Sequence, residues 1–172
     1  MPIYIVDQFL NDDETQFLID AASDSFTPAP VVGVGSGVIS DTRTSSTCYL
    51  AREDLPDLAR KVSALTQTPI THLELPQVGR YYTSQQYLPH YDAFDTEEVD
   101  GARFASNGGQ RTVTVLIYLN TVTTNTGGGH TVFPKLQNVN IQPIRGQALI
   151  FFPATIDGHL DPRTLHAALP AI

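Results

Sequence analysis

At 172 residues, with 41% hydrophobic and 16% charged residues, the chain suits one globular domain with its own packed core and excludes a largely disordered protein. A single cysteine, Cys48, excludes an internal disulfide and a Cys-rich zinc site. A net charge of −8 argues against nucleic acid, no apolar run reaches the roughly 18–20 residues of a membrane span, and the N-terminus lacks signal-peptide features, so a cytoplasmic protein with neither partner is expected.

The first expected helix follows Asn11-Asp12-Asp13-Glu14, residues that cap a helix start and suit its positive dipole end. Phe17, Leu18, Ala21 and Ala22 then fall on one face. Residues 31–41, with Gly33, Gly35 and Gly37, read as a flexible loop, because the glycine spacing is wrong for dinucleotide binding and no helix follows. A second helix begins near Asp54, with Leu55, Leu58, Val62 and Leu65 as its buried stripe, Pro56 in its first turn and Thr68-Pro69 as its stop.

From about residue 73 onward the signal is β. Strands are expected over 78–82, 110–120, 139–141 and 147–152, and 164–168 alternates as a strand does. In 110–120 the row Val113, Val115, Ile117 and Leu119 marks one face. Residues 93–109, acidic and then glycine-rich, read as a long loop between two strands. Short strands punctuated by Gly and Pro turns indicate a sandwich or barrel.

The five histidines include three that open a His-x-carboxylate pair: His72-Leu73-Glu74, His90-Tyr91-Asp92 and His159-Leu160-Asp161. On a strand, residues i and i+2 share a face and can present two metal ligands together. Joined by a distant histidine, such a pair forms the 2-His-1-carboxylate triad that leaves Fe(II) positions open. The dipeptide pattern alone does not choose among the three, so context must. His159-x-Asp161 lies in a turn-rich stretch and reads as exposed. His72-x-Glu74 opens the β region. His90-x-Asp92 sits between a strand and the long 93–109 segment, where ligand groups gather, and His166 is available downstream.

These residues carry a resemblance. Gln77-Val78-Gly79-Arg80-Tyr81-Tyr82 followed by Gln86-Tyr87-Leu88-Pro89-His90-Tyr91-Asp92-Ala93-Phe94 resembles the iron-ligand region of prolyl 4-hydroxylase-type 2-oxoglutarate/Fe(II) dioxygenases. Arg111-Thr112-Val113-Thr114-Val115-Leu116-Ile117-Tyr118-Leu119-Asn120 resembles their central strand, and Gly128-Gly129-His130-Thr131-Val132-Phe133-Pro134 their Gly-Gly-x-Thr-x-Phe-Pro segment. Residues 139–152 resemble the strand pair before the distal ligand, and Leu165-His166-Ala167-Ala168-Leu169-Pro170-Ala171 the distal-histidine segment.

The resemblance implies a mostly β protein with N-terminal helices, a double-stranded β-helix or jelly-roll. It implies Fe(II) held by His90, Asp92 and His166, and 2-oxoglutarate contacted by Tyr81 and Thr131, with O2 as cosubstrate and ascorbate among the accessory cofactors. Arg43, Ser45, Glu74, Tyr87 and Arg111 match positions of the family's peptide groove. The implied activity is hydroxylation of proline in a peptide or protein, as by a procollagen-proline 4-dioxygenase. Glycines without periodic apolar partners mark residues 31–41 and 93–109 as mobile segments expected to close over the peptide. The rivals are the same chemistry on a free amino acid or small molecule, and a metal-binding jelly-roll without oxidative turnover. His130 stands where the family has Glu and reads as an exposed or groove residue. The family's lysine anchor for the far carboxylate of 2-oxoglutarate would fall at roughly position 176. The expectation is therefore a single domain over 1–172 that lacks its C-terminal end, with Arg111 or another arginine as the alternative anchor.

Overall fold

The computed structural model describes residues 3–31, 38–123, 128–137 and 139–172. Strand β1 (Tyr4–Val6) leads into helix α1 (Asp12–Ala22) through a reciprocal cap. The Asn11 side chain accepts from the Glu14 N–H, and the Glu14 carboxylate accepts from the Asn11 N–H. The buried residues of α1 are Thr15, Leu18 and Ala22, while Phe17 is 57% exposed. Leu18 and Ala22 are thus buried as expected, whereas Thr15 takes the place of Phe17 and Ala21, because two anchors fix the face. Leu18 packs with Leu10 and Leu55, and Arg145 donates to the Thr15 hydroxyl at 2.7 Å.

Four short strands follow: β2 (Thr27–Pro28), β3 (Pro30–Val31), β4 (Val38–Ile39) and β5 (Ser46–Tyr49). β3 and β4 pair across the expected 31–41 loop, whose centre lies outside the described residues. Helix α2 (Pro56–Thr66) starts on Pro56, where a missing N–H costs nothing, and ends at Gln67 in the left-handed conformation. The region after it is less strand-rich than expected. His72 lies in a 3-10 turn (Ile70–His72), and Glu74 follows it outside any strand.

β6 (Gln77–Arg80) and β7 (Tyr87–His90) precede the 93–109 segment. That segment is not all loop: it holds helix α3 (Val99–Ser106). Phe104 stacks on Phe94 with ring centroids 5.7 Å apart, which gives the helix an apolar anchor. Gly101 permits the approach, since a Cβ there would stand 1.8 Å from the Asp95 carbonyl oxygen. The remaining strands are β8 (Thr114–Ile117), β9 (Thr131–Phe133), β10 (Val139–Ile141), β11 (Ala148–Phe151) and β12 (His166–Ala168).

Pairing among the described strands is antiparallel. One sheet runs β1-β11-β8, another β10-β9-β12-β7, and β2-β5-β6 forms a third. The first two sheets meet through Tyr118, Phe133, Leu149 and Phe151, with the Phe133 and Phe151 rings edge to face at 5.2 Å. Outside the first sheet, Ile117 and Leu119 pack on Leu10, Leu18, Leu55 and Leu58, which joins both N-terminal helices to it. The strand is shorter than the expected 110–120, and Ile117 and Leu119 face the helices while Tyr118 faces the interior. No helix among the described residues is long and apolar enough to cross a membrane.

Candidate metal centre

The antiparallel register of β7 and β12 sets His90 directly opposite His166. A register shift follows in β12, between His166 and Ala168. The ligand atoms of His90, Asp92 and His166 lie within 4.8 Å of one another. Asp92 Oδ1 is 3.7 Å from His90 Nε2 and 3.6 Å from His166 Nε2. Among the described residues this is the single group of three His, Cys, Asp or Glu side chains that converges so closely.

The donor set is prepared for a cation. His90 Nδ1 lies 2.8 Å from the Leu88 carbonyl, and His166 Nδ1 lies 3.0 Å from the Thr164 carbonyl. Each Nδ1 therefore carries a hydrogen and donates it to a carbonyl, which turns each Nε2 toward Asp92. Burial, and then the neighbouring His166 imidazole, hold the His90 imidazole down at about 4, so it is neutral at pH 7. Two imidazoles and one carboxylate around one point suit Fe(II) with positions left open.

The surroundings differ on the two sides. His166 is 7% exposed and its ring lies 4.8 Å from that of Phe151 and 5.6 Å from that of Phe133. His90 is covered by Tyr87, stacked at 3.5 Å and 11°, and the Arg43 guanidinium sits 4.8 Å from the Tyr87 ring centre. A cleft of about 350 Å³ opens beside the triad, lined by Asp92, Tyr91, Phe94, Asp95, Glu98 and Val99.

The family model of the 2OG-Fe(II) oxygenase superfamily matches residues 76–171, a span that contains all three converging side chains. The chain belongs to that superfamily. Its fold is the double-stranded β-helix, as expected from the sequence. As a member it is 32% identical to prolyl 4-hydroxylase 1 of Arabidopsis thaliana over 184 residues, covering 95% of this chain and 62% of that protein. It is 33% identical to prolyl 4-hydroxylase 5 of the same plant, with 95% and 62% covered. The chain thus spans about 62% of the length of these curated relatives. The viral collagen prolyl hydroxylase of Paramecium Bursaria Chlorella virus-1, solved as a 2OG complex, superposes with a TM-score of 0.74 at 28% identity, over 98% of this chain and 88% of that one.

The other expected site residues of this chain fall in three groups. Tyr87 and Arg43 form the stack over His90, and Ser45 lies beneath them, 2% exposed, its hydroxyl accepting from Arg43 Nε at 3.3 Å. Arg43 also donates to Gln77 Oε1, whose amide donates to the Tyr49 hydroxyl. Glu74 and Arg111 pair with each other through two contacts of 2.6 and 2.9 Å, and Arg111 Nη1 donates to the Asp92 carbonyl at 3.3 Å. Arg111 is therefore engaged at the metal-ligand segment. Thr131 is buried and accepts from the Tyr118 hydroxyl at 2.8 Å, and burial raises that phenol to about 12 against the opposing effect of this bond. Tyr81 follows β6 and is half-buried, as is His130 after Gly129.

The other two His-x-carboxylate pairs do not converge on a metal site. His72 is exposed. Asp161, expected to be an exposed turn residue, is 3% exposed and caps the 3-10 turn Pro162–Thr164, held by Arg163 at 2.6–3.1 Å. Sequence reasoning missed Thr114, Gln110 and Tyr118. The signal was available in the even-numbered row of 110–120, whose Gln, Thr and Tyr occupy the face opposite the aliphatic one.

Proposed function

We propose that the chain is a peptidyl-proline 4-hydroxylase in which His90, Asp92 and His166 hold Fe(II). The observation that carries the reading is the convergence of two imidazole Nε2 atoms on Asp92 Oδ1 beside a half-buried aromatic and cationic strip. The bound metal, with 2-oxoglutarate and O2, supplies the oxidation, and the protein supplies binding, orientation and a dry site. The relatives named prolyl 4-hydroxylase support proline as the target.

The interior row of β8 supports the placement of the cosubstrate. Thr114 marks the metal end, and Tyr118 with Thr131 marks the far end, roughly 13 Å along an extended strand. Leu116 between them pairs with the buried Leu149 and is itself 36% exposed. A carboxylate at the far end would accept from the Tyr118 and Thr131 hydroxyls, with Tyr81 as a further contact. Tyr87, Arg43, Glu74 and Arg111 would border the peptide. A proline-rich segment has few backbone donors, and a tyrosine face with flanking guanidinium groups suits it.

The test is succinate release with Fe(II) and 2-oxoglutarate, with and without a proline-rich peptide. Peptide-stimulated release, with a gain of one oxygen on the peptide, is expected. Turnover that no peptide stimulates would move the substrate to a free amino acid or small molecule. Metal binding with no turnover of any kind would leave a non-oxidative metal module.

A further inference from the structure

We propose that the stretch entering β8 is a brace for the metal carboxylate, with Thr114 and Gln110 as positioning residues; the inference rests on the metal-centre reading above. β7 ends at His90, so Asp92 and Phe94 lie beyond the sheet ladder and its backbone hydrogen bonds do not fix them. Side chains from 110–114 take over that task.

Thr114 Oγ1 donates to Asp92 Oδ2 at 2.7 Å. The other oxygen, Oδ1, is the one that faces both histidine Nε2 atoms. The hydroxyl thereby sorts the two carboxylate oxygens and presents Asp92 as a one-oxygen ligand. Gln110 grips the chain two residues on: its Oε1 accepts from the Phe94 N–H at 2.8 Å, and its Nε2 donates to the Phe94 carbonyl at 2.8 Å. The same Nε2 donates to the Gly158 carbonyl at 3.1 Å, and Oε1 also accepts from the Arg111 N–H at 2.9 Å. One amide thus replaces the ladder at this point and ties the ligand segment to the 154–160 turn.

Groups that orient a ligand are worth roughly 10–100-fold in metal affinity. The experiment is Co(II) titration of the parent, Thr114→Val, Thr114→Ser and Asp92→Ala proteins, followed by the visible absorption of the bound ion. Thr114→Val keeps the shape and removes the hydroxyl. It is expected to weaken Co(II) binding by about 10–100-fold and to alter the absorption bands, while Thr114→Ser restores both. Parental affinity and spectrum in Thr114→Val, or a Thr114→Ser protein as weak as Thr114→Val, would overturn the brace alone. A parent that takes up no Co(II), or an Asp92→Ala protein that binds like the parent, would overturn the metal reading and the brace with it. If Thr114→Val does not fold, Gln110→Ala carries the test: a loss of about tenfold is expected, and unchanged affinity overturns the brace.

Discussion

His166 reaches the metal centre from a strand packed inside the molecule, whereas His90 and Asp92 reach it from the end of a strand and the turn beyond. The His166 ring lies against Phe133 and Phe151, both fully buried, and its Nδ1 is fixed by the carbonyl of a capped turn. The His90 ring lies under the half-exposed Tyr87, and Asp92 is held by the side chains of Thr114 and Arg111. One half of the site is therefore an outgrowth of the hydrophobic core, and the other is a hydrogen-bonded assembly at its mouth. The difference teaches that stability and accessibility are divided within one constellation. The packed half anchors the site, and the mouth can meet a peptide without disturbing the core.

Breaking the packed half should cost the whole fold. Phe151→Ala removes a side chain that touches Phe133, Leu149 and His166, and is expected to destabilise the protein by about 3–5 kcal/mol. Urea unfolding checks this. A loss below roughly 1 kcal/mol would mean that the core beneath His166 is not packed as described.

The turn behind His166 sharpens the comparison through pH. The Arg163 guanidinium, hydrogen-bonded to Asp161, holds that carboxyl below its usual 3.8. A lowered value in the folded state means that folding is favoured by the ionised form. This contribution is present above about pH 3.8 and is lost as pH falls through the lower, folded-state value. Asp161→Asn should therefore cost about 2 kcal/mol at neutral pH, and its unfolding curve should converge on the parent's as the pH drops below that value. A constant gap between the two proteins across the acid range would contradict the assignment.

Much of this was legible in the sequence, and the failures have physical causes. Asn11 and Glu14 announced the α1 cap because both partners lie within one turn. The β8, β10 and β11 strands were legible as apolar runs between turn residues. His90, Asp92 and His166 were singled out through the family resemblance, since three His-x-carboxylate pairs share the same spacing, and the structure places these three side chains together. On α1, Leu18 and Ala22 were read correctly, and Thr15 was missed because Arg145, far away in sequence, binds its hydroxyl. Helix α3 was missed because its anchor is a Phe94–Phe104 contact and a glycine approach, neither of which leaves a periodic pattern. The brace was missed for a related reason. Thr114 and Gln110 look like ordinary polar residues of a strand until the fold brings Asp92 and Phe94 against them.

The claim that joins the two halves is that they hold one metal ion together. Anaerobic Fe(II) titration by calorimetry of the parent, His166→Ala and Asp92→Ala proteins tests it most directly. One Fe(II) per parent chain is expected, with binding lost when a ligand is removed from either half. A His166→Ala or Asp92→Ala protein that binds Fe(II) with the parent's stoichiometry and affinity would contradict the account.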